Sequence, residues 1–157
     1  MNVRPVEQRD RDWVEGFLAE RNSGRVAAHG ELFYPPELPG LIAEGDGEPI
    51  GLATYRIEGD ECELVTLHSR VEGAGAGSAL VEAVAAAARA AGCRRLYLIT
   101  TNDNMRALRF YQRHGLRLSA LRPGAVDEAR RTLKPEIGEV GNDRIPIRDE
   151  LELELQL

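Results

Sequence analysis

Three glycines, Gly73, Gly75 and Gly77, alternate with Ala74 and Ala76 between a strand-like run, Glu61–His68, and a helical stretch, Ser78–Ala91. Glycines at such a junction let backbone N–H groups converge on one point, and the helix N-terminus adds partial positive charge. Together they suit an anion, typically phosphate or pyrophosphate. The details exclude two nucleotide motifs. A Walker loop ends in Gly-Lys-Ser/Thr, whereas Gly77 is followed by Ser78-Ala79. The dinucleotide fingerprint G-x-G-x-x-G fails in both registers, its last glycine falling on Ser78 or Leu80. Other chemically capable side chains lie nearby in sequence: the Glu63 carboxylate on the incoming strand, and His68, an imidazole with an ordinary value near neutrality. Cys62, Cys93, His29, His68 and His114 lie too far apart for a zinc site, and two cysteines make no disulfide framework. No metal is expected.

The elements that must hold this loop follow from periodicity and punctuation. Asn2–Val6 reads as a strand. Arg9–Asn22 reads as a helix presenting Trp13, Val14, Phe17, Leu18 and Arg21 on one face. Residues 23–40 read as an irregular loop with one short helix. Leu41–Glu44 and Ile50–Glu58 flank Gly45-Asp-Gly-Glu-Pro, a hairpin signal, and a turn at Gly59-Asp60 leads into Glu61–His68. Gly92 stops the alanine-rich helix, whose apolar stripe is Leu80, Val81, Val84 and Ala88. Arg94–Thr101, with Leu96-Tyr-Leu-Ile at its middle, reads as a strand buried on both faces. Asn104 can cap a helix running to His114, closed by Gly115, before a strand at Leu116–Leu121. A long connection, 123–149, carries a helical patch at Ala125–Leu133. Glu150–Leu157 then alternates leucines inward with Glu150, Glu152, Glu154 and Gln156 outward. The fold class is α+β (mixed α/β): one domain, 1–157, with a mixed, mostly antiparallel sheet of six to seven strands flanked by helices. One right-handed strand–helix–strand crossover is expected around Ser78–Ala91.

Composition narrows the function classes. The chain has 157 residues, 43% of them hydrophobic, enough for a core, and a net charge of −6. No apolar stretch is long enough to span a membrane, and the N-terminus lacks the apolar region of a secretory signal. The expectation is a reduced, cytoplasmic protein without nucleic-acid or membrane partners. The charge is unevenly spread, at −9 over residues 1–88, +7 over 89–131 and −4 over 132–157. Arg94, Arg95, Arg106, Arg109 and Arg113 in the basic segment are candidates to meet phosphates.

Two motifs in register carry a resemblance. Glu72-Gly-Ala-Gly-Ala-Gly77, after the strand Glu63–His68, is similar to the Arg/Gln-x-x-Gly-x-Gly/Ala motif of the GCN5-related N-acetyltransferase (GNAT) superfamily. Asn104-Met-Arg-Ala-Leu-Arg-Phe-Tyr111-Gln-Arg-His-Gly115-Leu116 resembles that family's Asn-x-x-Ala-x-x-Phe-Tyr-x-x-x-Gly-Phe. Two positions depart from the pattern: Glu72 stands at the Arg/Gln position, with Arg70 close enough to compensate, and Leu116 replaces Phe.

The resemblance implies an acetyl-CoA-dependent N-acetyltransferase, with direct transfer to a primary amine in a ternary complex. It implies cofactor contacts from Thr66, Leu67, His68, Glu72, Gly73, Ala74, Gly75, Ala76, Gly77, Ser78, Asn104 and Tyr111. In that scheme Tyr111 meets the leaving thiolate as general acid, and Glu63 serves as base. The acceptor, a small molecule or a protein amine, would lie between residues 22–40 and 123–149. There Glu136, Asp143, Asp149 and Glu150 would favour a cation. The half-exposed last strand is available to pair across a homodimer. The alternative implied by Glu72 is a non-catalytic acyl-CoA sensor of the same fold.

Overall fold

A computed structural model describes all residues, Met1–Leu157. The strands are β1 (Asn2–Pro5), β2 (Val26–Ala28), β3 (Glu31–Phe33), β4 (Gly40–Gly45), β5 (Glu48–Glu58), β6 (Glu61–Ser69), β7 (Arg95–Thr101), β8 (Arg117–Arg122) and β9 (Glu150–Gln156). The helices are α1 (Arg11–Glu20), α2 (Ala76–Ala90), α3 (Met105–Arg113) and α4 (Ala125–Thr132). Seven strands form a sheet in the order β1-β4-β5-β6-β7-β9-β8, and β2 and β3 form a separate hairpin. This is the mixed α/β architecture expected. By contact the chain parts into two compact units: residues 1–25, 34–96 and 157, and residues 26–33 and 97–156.

In the first unit the turns are set by local chemistry. Asp46 and Gly47 both take left-handed conformations, with φ of 54° and 78°, the pattern of a two-residue turn whose twist matches its strands. Val14, Phe17 and Leu18 of α1 pack with Ile42 and Leu52, and Trp13 stacks on Phe17 at 4.6 Å. α2 lies against the other face. A side chain at Gly51 would come 3.0 Å from Leu80 and 3.4 Å from Ala76, so the glycine permits the close approach of helix and strand. Arg4 on β1 forks onto the buried Asp10 at 2.7 and 2.8 Å.

β5 and β6 pair antiparallel with one irregularity. Thr54 faces Thr66 and Tyr55 faces Leu64, so Val65 is an extra residue in β6. The bulge shifts the alternation. Glu63 opposite Arg56, Thr66 opposite Thr54 and His68 opposite Leu52 all fall on one face, that of Leu52 and α1.

In the second unit Asn104 caps α3, its side chain accepting from the Ala107 N–H at 3.2 Å, and Gly115 closes the helix at φ 90°. The two preceding residues hold a strap, 139–149. The Asn102 side chain accepts from the Arg148 and Asp149 N–H groups at 2.9 and 3.0 Å and donates to the Pro146 carbonyl at 2.9 Å. Asp103 is buried and accepts from the Asn142 N–H at 3.0 Å. Its carboxylate leaves no room for a side chain at Gly141. Arg130 of α4 ties the strap to the residues just before it, donating to the Ile147 carbonyl at 3.0 Å and to the Ile137 and Gly138 carbonyls at 3.0 and 2.8 Å.

Four expectations are corrected. Residues 26–33 are a hairpin rather than loop, turning at His29 and Gly30 with φ of 38° and 81°. Three-residue strands and a histidine in a left-handed position give little periodic signal. Tyr97 and Ile99 of β7 are only half-buried, so the strand is not covered equally on both faces. Glu150 and Glu152 do not point into solvent. They are buried, Glu150 accepting from the His29 N–H at 3.0 Å and Glu152 from Arg122 at 2.6 Å. Finally, β9 lies between β7 and β8, so both its edges are paired and β8 is the edge strand at that end of the sheet. The last strand cannot extend a sheet into a second copy.

Candidate active site

The first unit brings together Glu63, Thr66, Leu67, His68 and the loop from Glu72 to Ser78. The loop is solvent-exposed from Glu72 to Gly75, while Ala76, the first residue of α2, is buried against the sheet. Gly73 and Gly75 are left-handed, at φ 77° and 82°, conformations that L side chains adopt only with strain. No atom lies within 4 Å of a side chain placed at either, so backbone conformation rather than crowding selects glycine here. The first helical bond of α2 runs from the Ala79 N–H to the Gly75 carbonyl at 3.0 Å. The amides of Ala76 and Gly77 therefore have no acceptor in the helix and point out of its positive end. Exposed amides at a helix N-terminus suit an anion. The Glu72 side chain is exposed. Arg70 is exposed and donates to the Pro49 carbonyl at 3.3 Å.

On β6 the side chains are more committed than the sequence suggests. Glu63 is 2% exposed and faces the Arg56 guanidinium at 3.5 Å. Thr66 shares a 2.6 Å hydrogen bond with Thr54, so its hydroxyl is already engaged. His68 packs edge-on against Phe17, with ring centroids 6.5 Å apart, and its Nε2 lies 2.9 Å from Ser23 Oγ. Burial, aided by the Arg21 cation, holds the His68 ring down at about 4, so it does not titrate near neutrality as its ordinary value suggests.

The second unit carries Asn104 and Tyr111. Asn104 is the cap already described. Tyr111 is buried on α3, its ring edge-on to Phe110 at 5.3 Å, and desolvation pushes its phenol well above the ordinary value of 10.0. Its hydroxyl has no hydrogen-bond partner in the chain and is not sealed from solvent. The phenol therefore keeps its proton across the neutral range.

The basic segment is only partly available. Arg94 pairs with Asp60 and Arg95 with Glu61, while Arg109 and Arg113 are exposed on α3. The acidic connection also loses half its named carboxylates to structural work: Asp149 accepts from the Gly124 N–H at 2.9 Å, and Glu150 holds His29. Sequence reasoning missed Ser23, Arg21 and Arg56. They join the site only through packing and strand register, and no local motif marks them.

No helix is long and apolar enough to cross a membrane. Against known proteins, the model of the Acetyltransferase (GNAT) family matches residues 5–116. The chain is 46% identical to "Uncharacterized protein YdhI" of Bacillus subtilis (strain 168), over 96% of this chain and 95% of that one. It is 40% identical to "Uncharacterized protein YxbD" of the same organism, over 100% and 99%. Among solved structures it is similar to an IAA acetyltransferase from Bacillus cereus, with TM-score 0.74, 16% identity and 99% of both chains covered. It also resembles an Elizabethkingia anophelis GNAT family acetyltransferase with acetyl-CoA bound, with TM-score 0.71, 15% identity and coverage of 99% and 97%. With family motifs, matching length and a shared fold in agreement, the chain belongs to the acetyltransferase (GNAT) family.

Proposed function

We propose that this protein is a cytoplasmic, acetyl-CoA-dependent N-acetyltransferase that moves the acetyl group directly to a primary amine in a ternary complex. The observation that carries the reading is the left-handed Gly73/Gly75 loop, which opens the N-terminus of the 15-residue helix α2 toward solvent. Two free, buried cysteines, Cys62 and Cys93, suit a reducing compartment. Bound acetyl-CoA supplies a thioester, an acetyl group already activated toward amines.

The chain's residues then divide the work. The amides from Gly73 to Ser78 hold the pyrophosphate, and Asn104 supports the cofactor from the N-terminus of α3. The backbone of Thr66, Leu67 and His68 lines the pantetheine arm, and the Leu67 N–H polarises the carbonyl where negative charge develops. Glu63, beside the Arg56 guanidinium, takes the amine's proton directly or through one water. Tyr111 gives its proton to the departing sulfur.

The test is release of CoA from acetyl-CoA over a panel of primary amines. Saturable release with at least one amine, and intersecting initial-rate patterns in both substrates, is the expected result. Calorimetric binding of acetyl-CoA with no release by any amine supports the sensor reading instead.

A further expected result concerns the loop alone. Gly75→Val forces a β-branched residue into a left-handed position, at about 1–2 kcal/mol or more. The loop relieves that strain by re-aiming its amides. The dissociation constant for acetyl-CoA rises by roughly tenfold or more, since each 1.4 kcal/mol is tenfold. Affinity equal to that of the native chain, measured calorimetrically, would remove the loop from the site.

A further inference from the structure

The end of α1 delivers a hydroxyl to His68. Asn22 takes a left-handed conformation, φ 54°, while its N–H donates to the Ala19 carbonyl at 3.1 Å and the Ser23 N–H to the Leu18 carbonyl at 2.9 Å. These paired bonds are the Schellman closure of a helix, and they fix the backbone of Ser23. From there Ser23 Oγ reaches two partners, the Arg21 carbonyl at 3.2 Å and His68 Nε2 at 2.9 Å.

The Ser23 hydroxyl has one proton and lies within reach of the Arg21 carbonyl and of His68 Nε2, and the direction of the second contact depends on the ring's tautomer. With the Ser23 proton on the carbonyl, both contacts are satisfied when the imidazole proton sits on Nε2, which leaves Nδ1 with its lone pair. Nδ1 has no partner in the chain and is not sealed from solvent. The ring lies on the Leu52 side of β6, one residue beyond the Leu67 amide and on the same face as Glu63 and Thr66. The Arg21 guanidinium, 3.6 Å above the Phe17 ring, supplies the nearby positive charge that disfavours a second proton on the imidazole.

We propose that His68 is a catalytic residue whose Nδ1 accepts a hydrogen bond from the N–H of the attacking amine, Ser23 fixing the tautomer that makes this acceptor available. The inference rests on β6 being the strand beside the thioester. An amine held this way keeps its own lone pair free, and the hydrogen bond aims that lone pair at the polarised carbonyl.

Two arms test it. Nitrogen-15 spectra of the CoA-saturated protein should show His68 protonated on Nε2, with n-butylamine shifting Nδ1 and leaving Nε2 in place. Ser23→Ala should mix the tautomers. A ring protonated on Nδ1, or an Nδ1 signal that the amine does not move, overturns the proposal even if no acetylated amine has been found. The kinetic arm uses two amides. His68→Gln keeps a donor near Ser23 but loses the Nδ1 acceptor, and should lower kcat about 100-fold with the KM for acetyl-CoA within about twofold. His68→Asn places an amide oxygen near the Nδ1 position and should recover about tenfold of that loss. His68→Gln within about threefold of the native rate, or His68→Asn no better than His68→Gln, overturns the role.

Discussion

Tyr111→Phe is expected to lower kcat about 100-fold or more while leaving acetyl-CoA affinity and thermal stability close to native, because proton delivery to a leaving group contributes on that scale. The separation of effects follows from the site. The ring of Tyr111 is buried and edge-on to Phe110 at 5.3 Å, contacts that phenylalanine keeps. The hydroxyl has no partner in the chain, so its removal orphans no other group. Burial raises the phenol above its ordinary 10.0, so the proton stays in place across the neutral range. The rate should therefore show no falling limb from this residue below about pH 10. The measurements are CoA release, calorimetry and a melting curve on the same sample. A phenylalanine enzyme that keeps a third of the native kcat would assign the proton to another donor.

The second large effect is on stability. Asp10 is buried at the start of α1, bound by the Arg4 fork and by the Glu7 N–H at 2.8 Å. The Arg4 hydrogen bond outweighs desolvation and brings the carboxyl down from 3.8 to about 2. The folded value lies below the unfolded one, so the stabilisation is complete above about pH 4 and disappears as pH falls through about 2. Arg4→Ala leaves this carboxylate buried without its cation. We expect a loss of about 2–3 kcal/mol at pH 7, below the usual range for a sealed pair because the Arg4 side chain keeps 15% exposure. Asp10→Asn should lose less, and the two variants should converge below pH 2. Urea unfolding at pH 7 and pH 2 measures both. A native-like midpoint for Arg4→Ala at pH 7 would make the pair ornamental.

What the sequence reveals depends on whether a feature is local. α3 is legible because its cap, Asn104, and its stop, Gly115, are side-chain and backbone signals within a dozen residues. β9 is legible as a strand, yet its glutamates were misplaced: alternation assigns faces, and only the tertiary structure shows that His29 and Arg122 cover the Glu150 and Glu152 side. The glycine loop can be read from its own spacing, whereas the contact of Arg70 with the Pro49 carbonyl depends on strand pairing that no local signal gives. His68 and Ser23 are 45 residues apart, and no spacing rule joins them.

The bulge at Val65 shows a different kind of necessity. Strict alternation would put Glu63 on the face opposite Thr66 and His68, and the extra residue turns it to theirs. Val65 therefore matters as a bulge rather than as a side chain. If β6 slipped by one residue to take Val65 into regular pairing, Glu63 and everything before it in the strand would pass through the sheet to the α2 side. Removing Val65 outright would instead leave a regular strand with Glu63 still on the face of Thr66, so the site depends on where the bulge is pinned and not on which residue fills it.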